Sequence, residues 1–193
     1  MGAEYELKYR ASAGCQAAVI QEYPGDWESI AMQTTYYDTP SGSLSAKRYM
    51  LRKRWENGVS VCTLKTSGKG NLRGEWEVNC RSITAAVTEL CELGSPSDLE
   101  DLCAEGLIPI CGAEFTRQVL QLQLPGCTAE LALDKGILFS GKKELPLCEI
   151  ELELKHGSKE ALDAFGETFA AKYALEPEEK SKFARALSIY KEV

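Results

Sequence analysis

Two stretches of the chain alternate strictly between charged and apolar residues, and this alternation constrains the fold more than any other feature. In residues 148–155 glutamates occupy every second position between aliphatic residues, and residues 4–8 (EYELK) repeat the pattern. Successive side chains of a β-strand point to opposite faces. Each stretch therefore predicts a strand with one acidic and one apolar face. Because a row of carboxylates is costly unless something offsets the repulsion, the rows indicate either a divalent-cation site or a sheet whose acids face solvent.

The composition limits the classes of protein that need to be considered. The chain has 193 residues, of which 44% are hydrophobic and 26% are charged, and this predicts a single domain over residues 1–193 with a sizeable core. A formal net charge of −7 argues against an extended nucleic-acid surface, although not against a locally basic pocket. No apolar run has the length of a membrane span, and the first residues lack a signal-peptide pattern. We therefore expect a cytoplasmic protein without a membrane partner.

Cysteine and histidine give little support to other kinds of site. The eight cysteines include no C-x-x-C pair, so neither a structural zinc site nor a redox motif is indicated. In a reducing compartment such cysteines act mostly as small buried apolar residues. The one histidine, His156, is expected at the surface, and without a Ser or Cys motif it leaves nucleophilic triads unsupported.

The remaining pattern predicts about eight strands and four to six helices. Strands are expected over residues 4–10, 34–39, 47–55, 59–66, 72–80, 114–123, 128–135 and 146–155. Asn57-Gly58 predicts a hairpin turn. Helices are expected over residues 12–22, from Ser82, after a capping box at residues 97–100, over 158–172, and from Pro177. The last of these would bury a stripe of Phe183, Leu187 and Tyr190.

Charged residues recur on one face of almost every predicted strand: Arg52, Arg54, Lys65, Glu75, Glu77, Arg117, Glu130 and Asp134. Because the helices need an apolar partner, the apolar faces are expected to point outward beneath them. Consecutive antiparallel strands can close into a barrel. The expected fold is thus α+β: an eight-stranded antiparallel β-barrel, or tunnel, with a charged lumen and helices packed on the outside. A twisted open sheet with its charges in water remains the alternative at this point.

A lumen that carries both signs of charge suits a polyanion together with a divalent cation. Arginine and lysine bind phosphate oxygens through charge-assisted hydrogen bonds, whereas carboxylates hold Mg²⁺ or Mn²⁺, which bridges to phosphate. Phosphoryl transfer then needs positioned phosphates and an oriented water, and no protein nucleophile.

The ordered motifs resemble those of the CYTH superfamily, the triphosphate tunnel metalloenzymes. Residues 4–8 look like its ExExK signature. Similar segments follow in chain order: residues 36–39 (YYDT), 51–54 (LRKR), 63–66 (TLKT), 75–77 (EWE), 114–117 (EFTR), 133–136 (LDKG), 149–153 (EIELE) and 180–182 (KSK). The resemblance covers nearly the whole chain.

This resemblance implies a tunnel that binds a triphosphate and a divalent metal, Mg²⁺ or Mn²⁺. By position, the phosphates would be bound by Lys8, Arg52, Arg54, Lys65, Arg117, Lys135 and Lys182. The metal sites would use Glu4, Glu6, Asp134, Glu149, Glu151 and Glu153. The catalytic set would be Glu4, Glu6 and Lys8, and either a second metal or a carboxylate such as Glu4 or Glu6 would orient and deprotonate the water. Glu75 and Glu77 are either further site carboxylates or salt-bridge partners that orient the basic residues.

Members of this family use inorganic triphosphate, thiamine triphosphate, ATP or RNA 5′-triphosphate. Residues 63–66 and 149–155 look most like the bacterial inorganic triphosphatases, and no separate aromatic cluster is available to stack thiamine or adenine. We therefore expect metal-dependent hydrolysis of inorganic triphosphate, or of another small molecule that bears a triphosphate. A thiamine triphosphatase, a class IV adenylate cyclase and a non-catalytic polyphosphate-binding module remain alternatives, and the oligomeric state stays open.

Overall fold

The structure, a computed structural model, describes residues 5–67 and 73–191, and these ranges contain nine strands and six helices. The strands are β1 (Glu6–Arg10), β2 (Glu28–Asp38), β3 (Tyr49–Glu56), β4 (Val59–Ser67), β5 (Arg73–Asn79), β6 (Ile108–Leu124), β7 (Cys127–Ser140), β8 (Lys143–Gly157) and β9 (Glu176–Pro177). The helices are α1 (Ala13–Glu22), α2 (Ser43–Ala46), α3 (Ile83–Glu92), α4 (Leu99–Cys103), α5 (Lys159–Tyr173) and α6 (Lys182–Lys191).

All nine strands join one antiparallel sheet in the order β5-β4-β3-β2-β6-β7-β8-β1-β9. The electrostatic surroundings of Glu6 in β1 show that the sheet is curled. Burial and Glu151 raise the pKa of Glu6, and Lys65 in β4 is among the nearby cations that lower it. These two strands lie near opposite ends of the strand order, so the sheet curls until their charged faces approach each other. The tunnel class of fold is confirmed. Among the described residues, however, the wall has nine strands instead of eight, and its hydrogen bonding does not close into a ring.

The long strands β6, β7 and β8 extend further than the sequence pattern predicted. Strand β7 continues to Ser140 and β8 begins at Lys143, where alternation predicted strand ends at residues 135 and 146. Gly141 makes the tight turn between them with a φ of 58°, a left-handed conformation that glycine adopts without steric cost. The predicted turn at Asn57-Gly58 is confirmed, with φ values of 46° and 82°.

Five helices cover the apolar outer face of the sheet, as predicted. Helices α1 and α5 pack on the outer face of β6, β7, β8 and β1, where the buried cluster includes Val19, Leu131, Ile150, Leu162 and Phe169. Helices α2, α3 and α4 pack on β3, β4 and β5 around Leu44, Leu51, Leu64, Leu90 and Leu99. The serines predicted to begin α1, α3 and α5 accept the expected capping hydrogen bonds. Helix α4 instead begins at Leu99 after Asp98, so the predicted capping box does not form its start.

Helix α6 lies on the inner, charged face of the sheet, where the sequence predicted helices only outside. Its Ala186 and Ile189 share a buried cluster with Leu138 of β7 and Leu147 of β8. Leu138 lies on the same face of β7 as Asp134, because the two positions are four residues apart. One end of the concave face is therefore filled by apolar packing, and α6 brings its first turn to the charged region beside it.

The predicted buried stripe of α6 is rotated in the structure. Tyr190 is 42% exposed, whereas Ile189 is 8% exposed. Phe183 and Leu187 are only partly buried. The physical reason is the charge on Lys182, which forms ion pairs with carboxylates of the inner face. Because Lys182, Ala186 and Ile189 share one face of the helix, these ion pairs hold that face against the sheet.

Three further local features concern the cysteines, the histidine and the length of the helices. All eight cysteines are free and are buried or half-buried. His156 is exposed. Among the described residues, no helix has both the length and the apolar character that crossing a membrane requires.

Candidate active site

The inner face of the sheet brings together most of the residues predicted for the site. In the strand register Arg117 pairs with Asp134, Asp134 with Glu149, and Lys8 with Glu151. Directly paired residues point to the same face, so these side chains line one surface. The same alternation places further predicted residues on it: Glu6, Arg52, Arg54, Lys65 and Glu153.

One predicted residue, Lys135, does not join this surface, and another, Glu153, joins it away from its acidic centre. Lys135 is exposed on the opposite face of β7, next to Asp134 in sequence, so the structure does not bring it to the other basic residues. Glu153 lies on the inner face but pairs with Lys155, Oε2 to Nζ 2.9 Å, at a distance from the carboxylate cluster described below. Glu4 lies outside the described residues.

Three carboxylates, from Asp134, Glu149 and Glu151, converge at the centre of the inner face. Each offers an oxygen within 4.8 Å of the others. Asp134 and Glu149 have no exposed surface, and Glu151 is 8% exposed. Carboxylate oxygens are the ligands that Mg²⁺, Ca²⁺ and Mn²⁺ prefer in proteins. The cluster is therefore of a kind that can hold a divalent cation.

The ammonium group of Lys182, in the first turn of α6, lies among these carboxylates. Its Nζ is 2.7 Å from Asp134 Oδ2 and 2.8 Å from Glu151 Oε1, and it also pairs with Glu149 Oε1. Burial lowers the pKa of Lys182, but the three carboxylates outweigh that effect and raise the pKa above its ordinary value. The lysine is thus a charged ammonium surrounded by acids.

Arg117 is the second basic group that binds these acids. Its Nε and Nη2 donate to the two oxygens of Asp134, each at 2.7 Å, and Nη2 also donates to Glu151 Oε2 at 2.5 Å. Burial tends to lower the pKa of Arg117, and the two carboxylates raise it further than burial lowers it. Bidentate pairs of this type are strong and fix the orientation of both partners. Arg117 is therefore oriented and charged before any ligand enters.

Glu149 is the least satisfied member of the cluster. Its Oε1 pairs with Lys182 and its Oε2 lies 3.0 Å from Nη2 of Arg185, yet neither ion pair has the alignment of a hydrogen bond within the part of the chain that the structure describes. Burial raises the pKa of Glu149, whereas Lys182 and Arg117 lower the pKa of Glu151 against the effect of burial. A fully buried carboxylate without aligned donors costs free energy. That feature fits a cation ligand.

The basic residues on β3 and β4 form a second group across the curled sheet. The Nε atoms of Arg52 and Arg54 are buried and have no aligned hydrogen-bond partner among the described residues, although Nε of Arg54 forms an ion pair with Glu56 Oε2 at 2.8 Å. Lys65 pairs with Glu75 at 2.9 Å, and Arg52 lies 3.9 Å from Glu77. The structure thus places Glu75 and Glu77 as ion-pair partners that orient these cations. The guanidinium N–H groups can donate hydrogen bonds to the oxygens of an anion.

A network of ion pairs that no sequence motif indicated holds α6 in place. Arg185 bridges Glu149 and Glu178, and Arg10 of β1 donates to Glu178 at 2.9 Å. Arg185 follows Lys182 by three residues, so the two lie on the same helix face. That spacing, read beside the predicted lysine, was the signal that could have identified Arg185.

Comparison with known proteins places this arrangement in a family. The chain is 32% identical over 143 residues to the inorganic triphosphatase of Haemophilus influenzae. The aligned residues make up 73% of this chain and 41% of that protein. The chain thus spans about two-fifths of the length of this curated relative.

Solved structures share the fold at low sequence identity. HpAC1 from Hippeastrum, which is described as having a dominant triphosphatase activity, is 19% identical with a TM-score of 0.69, over 96% of this chain and 95% of its own. A protein of Pyrococcus horikoshii is 22% identical with a TM-score of 0.59, over 96% and 98% of the two chains. The family model of the CYTH domain matches residues 2–187 of this chain. Since that match covers almost the entire sequence, the chain belongs to the CYTH domain family.

Proposed function

We propose that this protein hydrolyses inorganic triphosphate to pyrophosphate and phosphate on the inner face of its sheet, with Mg²⁺ or Mn²⁺ as the metal. The observation that carries the proposal is the meeting of a buried carboxylate triad, Asp134, Glu149 and Glu151, with arginines and lysines on one concave face. The relationship to the Haemophilus influenzae inorganic triphosphatase supports this choice of substrate. The expected cellular location is the cytoplasm.

The basic residues supply phosphate binding. Arg52 and Arg54 have buried Nε donors that lack aligned partners among the described residues. Arg117 and Lys182 complete the set from β6 and α6, and Lys8 lies beside Glu151 in the strand register. Guanidinium groups recognise phosphate oxygens in a bidentate manner. These groups together orient a triphosphate along the concave face and neutralise its charge, which is most of what phosphoryl transfer requires.

Asp134, Glu149 and Glu151 would hold the metal, since their oxygen atoms converge and Glu149 lacks aligned donors in the described structure. A bound divalent cation supplies charge neutralisation and a lowered pKa for a water molecule.

Among the residues that the structure describes, Glu6 is the candidate for orienting the attacking water. Burial and the neighbouring Glu151 raise the pKa of Glu6, while Lys8, Lys182 and Lys65 lower it by less. A raised pKa makes a carboxylate a better proton acceptor near neutral pH. Glu6 would accept the proton of the water as the oxygen attacks the terminal phosphorus and pyrophosphate leaves.

A phosphate-release assay tests the proposal with inorganic triphosphate, thiamine triphosphate and ATP, each with Mg²⁺, with Mn²⁺ and with a chelator. We expect the highest kcat/KM for inorganic triphosphate and no turnover with the chelator. A higher kcat/KM for thiamine triphosphate would overturn the substrate assignment. Conversion of ATP to cyclic AMP and pyrophosphate, detected by chromatography, would replace hydrolysis by cyclisation.

The Glu6→Gln variant tests the residue assignment in the same assay. We expect kcat to fall by about 10²–10⁴-fold, the usual contribution of a general base, with a much smaller change in KM. Glu144→Gln is the control, because Glu144 lies at the exposed start of β8 and should behave as the unmodified protein. Normal kcat in Glu6→Gln would remove Glu6 from the mechanism.

A further inference from the structure

The position of the Lys182 ammonium has a consequence for metal binding. Its Nζ lies 2.7 Å from Asp134 Oδ2 and 2.8 Å from Glu151 Oε1, and it also pairs with Glu149. These are the same three residues whose oxygens converge within 4.8 Å of one another. The lysine therefore occupies the place that a divalent cation would need.

The two kinds of cation cannot share this place. The carboxylate oxygens of a divalent-cation site approach the ion to about 2.0–2.6 Å, and an ammonium already in contact with the same groups blocks that approach and adds repulsion between like charges. The lysine side chain is also well buried, at 13% exposure, so water screens this repulsion only weakly. A metal ion must therefore displace the ammonium before it can be bound by all three carboxylates.

The structure offers Lys182 a second set of partners. Its Nζ is 5.3 Å from the centroid of the Phe115 ring, and the guanidinium carbon of Arg117 is 5.9 Å from the same ring. Both cations thus keep one attractive contact, with an aromatic face, that does not use the carboxylates. The long, flexible lysine side chain allows its ammonium to leave the acids while α6 remains seated through Ala186 and Ile189.

We propose that Lys182 is an internal counter-cation of the carboxylate triad, which keeps divalent metal weakly bound until a polyphosphate anion draws the ammonium away. This rests on the proposed function in one respect, that the anion is a triphosphate. Phosphate oxygens give Lys182 and Arg117 new anionic partners, and the triad is then free for the metal. Metal and substrate consequently load together, and their coupling runs through the side chains of Lys182 and Arg117.

Metal binding in the absence of any phosphate tests this exchange. Mn²⁺ is titrated by calorimetry into the metal-stripped protein and into Lys182→Met, which keeps the side-chain volume and removes the charge. We expect the variant to bind Mn²⁺ roughly 10- to 100-fold more tightly, the range typical of coupling between sites. Adding Glu149→Gln to Lys182→Met should remove that gain, since it removes a ligand from the triad.

Lys180→Met is the matched control, because Lys180 is an exposed lysine two residues away and its removal changes the net charge equally. An affinity for Mn²⁺ in Lys182→Met that equals that of the unmodified protein, or an equal gain in Lys180→Met, would overturn the proposal. Neither measurement contains triphosphate. A protein that fails to hydrolyse triphosphate could therefore still show the exchange, and a protein that hydrolyses triphosphate could fail to show it.

A second measurement uses the unmodified chain and so does not depend on whether Lys182→Met folds. Mg²⁺ is titrated into ¹⁵N-labelled protein while the Nζ resonance of Lys182 is followed. The exchange predicts that this resonance shifts in step with Mg²⁺ occupancy of the triad. A resonance that stays unchanged while the triad saturates would show that the ammonium and the metal do not compete.

Discussion

A double-mutant cycle on Arg117 and Asp134 measures how tightly the charges of the site are balanced. The buried cluster contains three acids, Asp134, Glu149 and Glu151, and three bases, Arg117, Lys182 and Arg185. Arg117→Met leaves the cluster with one uncompensated negative charge, and Asp134→Leu leaves it with one uncompensated positive charge. The double variant restores the balance with two apolar side chains of similar volume.

The magnitude follows from the geometry of the pair. Two hydrogen bonds of 2.7 Å join Arg117 to Asp134, which has no exposed surface. Removing one partner of a buried pair costs about 3–5 kcal/mol, because the other charge stays buried without compensation. Replacing both partners by packed apolar groups is often neutral or stabilising. Contacts of both residues with Lys182 and Glu151 soften the single losses, so we expect each single variant to lose about 3 kcal/mol and the double variant less than their sum.

Urea unfolding of the four proteins, followed by circular dichroism, gives the free energies of unfolding by linear extrapolation. We expect an interaction free energy between the two sites of about 2–3 kcal/mol, at the upper end of the range for residues in contact. Strictly additive losses would show that the cluster is hydrated or rearranges, and would refute the argument from buried charge balance. The pair Lys47 and Asp98 serves as control, because both side chains are at least one-third exposed and their coupling should stay below about 1 kcal/mol.

Three further predictions concern other parts of the molecule. Lys65→Ala should lower kcat/KM for triphosphate by about 10- to 100-fold through the loss of a charge-assisted hydrogen bond, whereas Lys135→Ala, on the opposite face of the sheet, should leave kcat/KM unchanged in the phosphate-release assay. Gly166→Ala should lower the free energy of unfolding by about 1–3 kcal/mol, since its Cβ would overlap the side chain of Leu7. Gly14→Ala on α1, whose added Cβ would lie at an ordinary contact distance of 3.8 Å from Ser12 Oγ, should raise it by up to about 1 kcal/mol; thermal unfolding compares the two. Burial raises the pKa of Glu178, but the Lys180 amide and two guanidinium groups lower it to about 2. The contribution of ionised Glu178 to stability is therefore complete above the unfolded pKa of about 4.3 and is lost as the pH falls from there towards 2. Between these two pH values we expect Glu178→Gln to lose less stability than the unmodified protein.

Alternation along the strands was enough to predict which residues share the inner face. It placed Arg52, Arg117 and Asp134 together because side-chain direction in a strand depends only on the parity of the position. The same rule excludes Lys135, since the neighbour of an inward residue must point outward. The prediction that placed Lys135 among the inward-facing cations was inconsistent with it.

The position of α6 could not be predicted by the same reasoning. An amphipathic helix shows which of its faces is buried, but the pattern does not say which surface of a sheet receives it. Helix α6 carries charged residues on its buried side, and the acids that satisfy Lys182 and Arg185 come from β7 and β8. Only the three-dimensional assembly of those strands shows that the inner face is its partner.

The position of α6 also determines when this helix can dock during folding. The helix rests on residues from β2, β6, β7 and β8, which are distant from one another in sequence, so the surface that receives it exists only after the sheet has assembled. Contacts made after the rate-limiting step affect mainly the unfolding rate. Substitutions at Ala186 or Ile189 should therefore shorten the lifetime of the native state while the speed of folding stays nearly the same, and the charged cluster beside α6 should be the last region to form and the first to open.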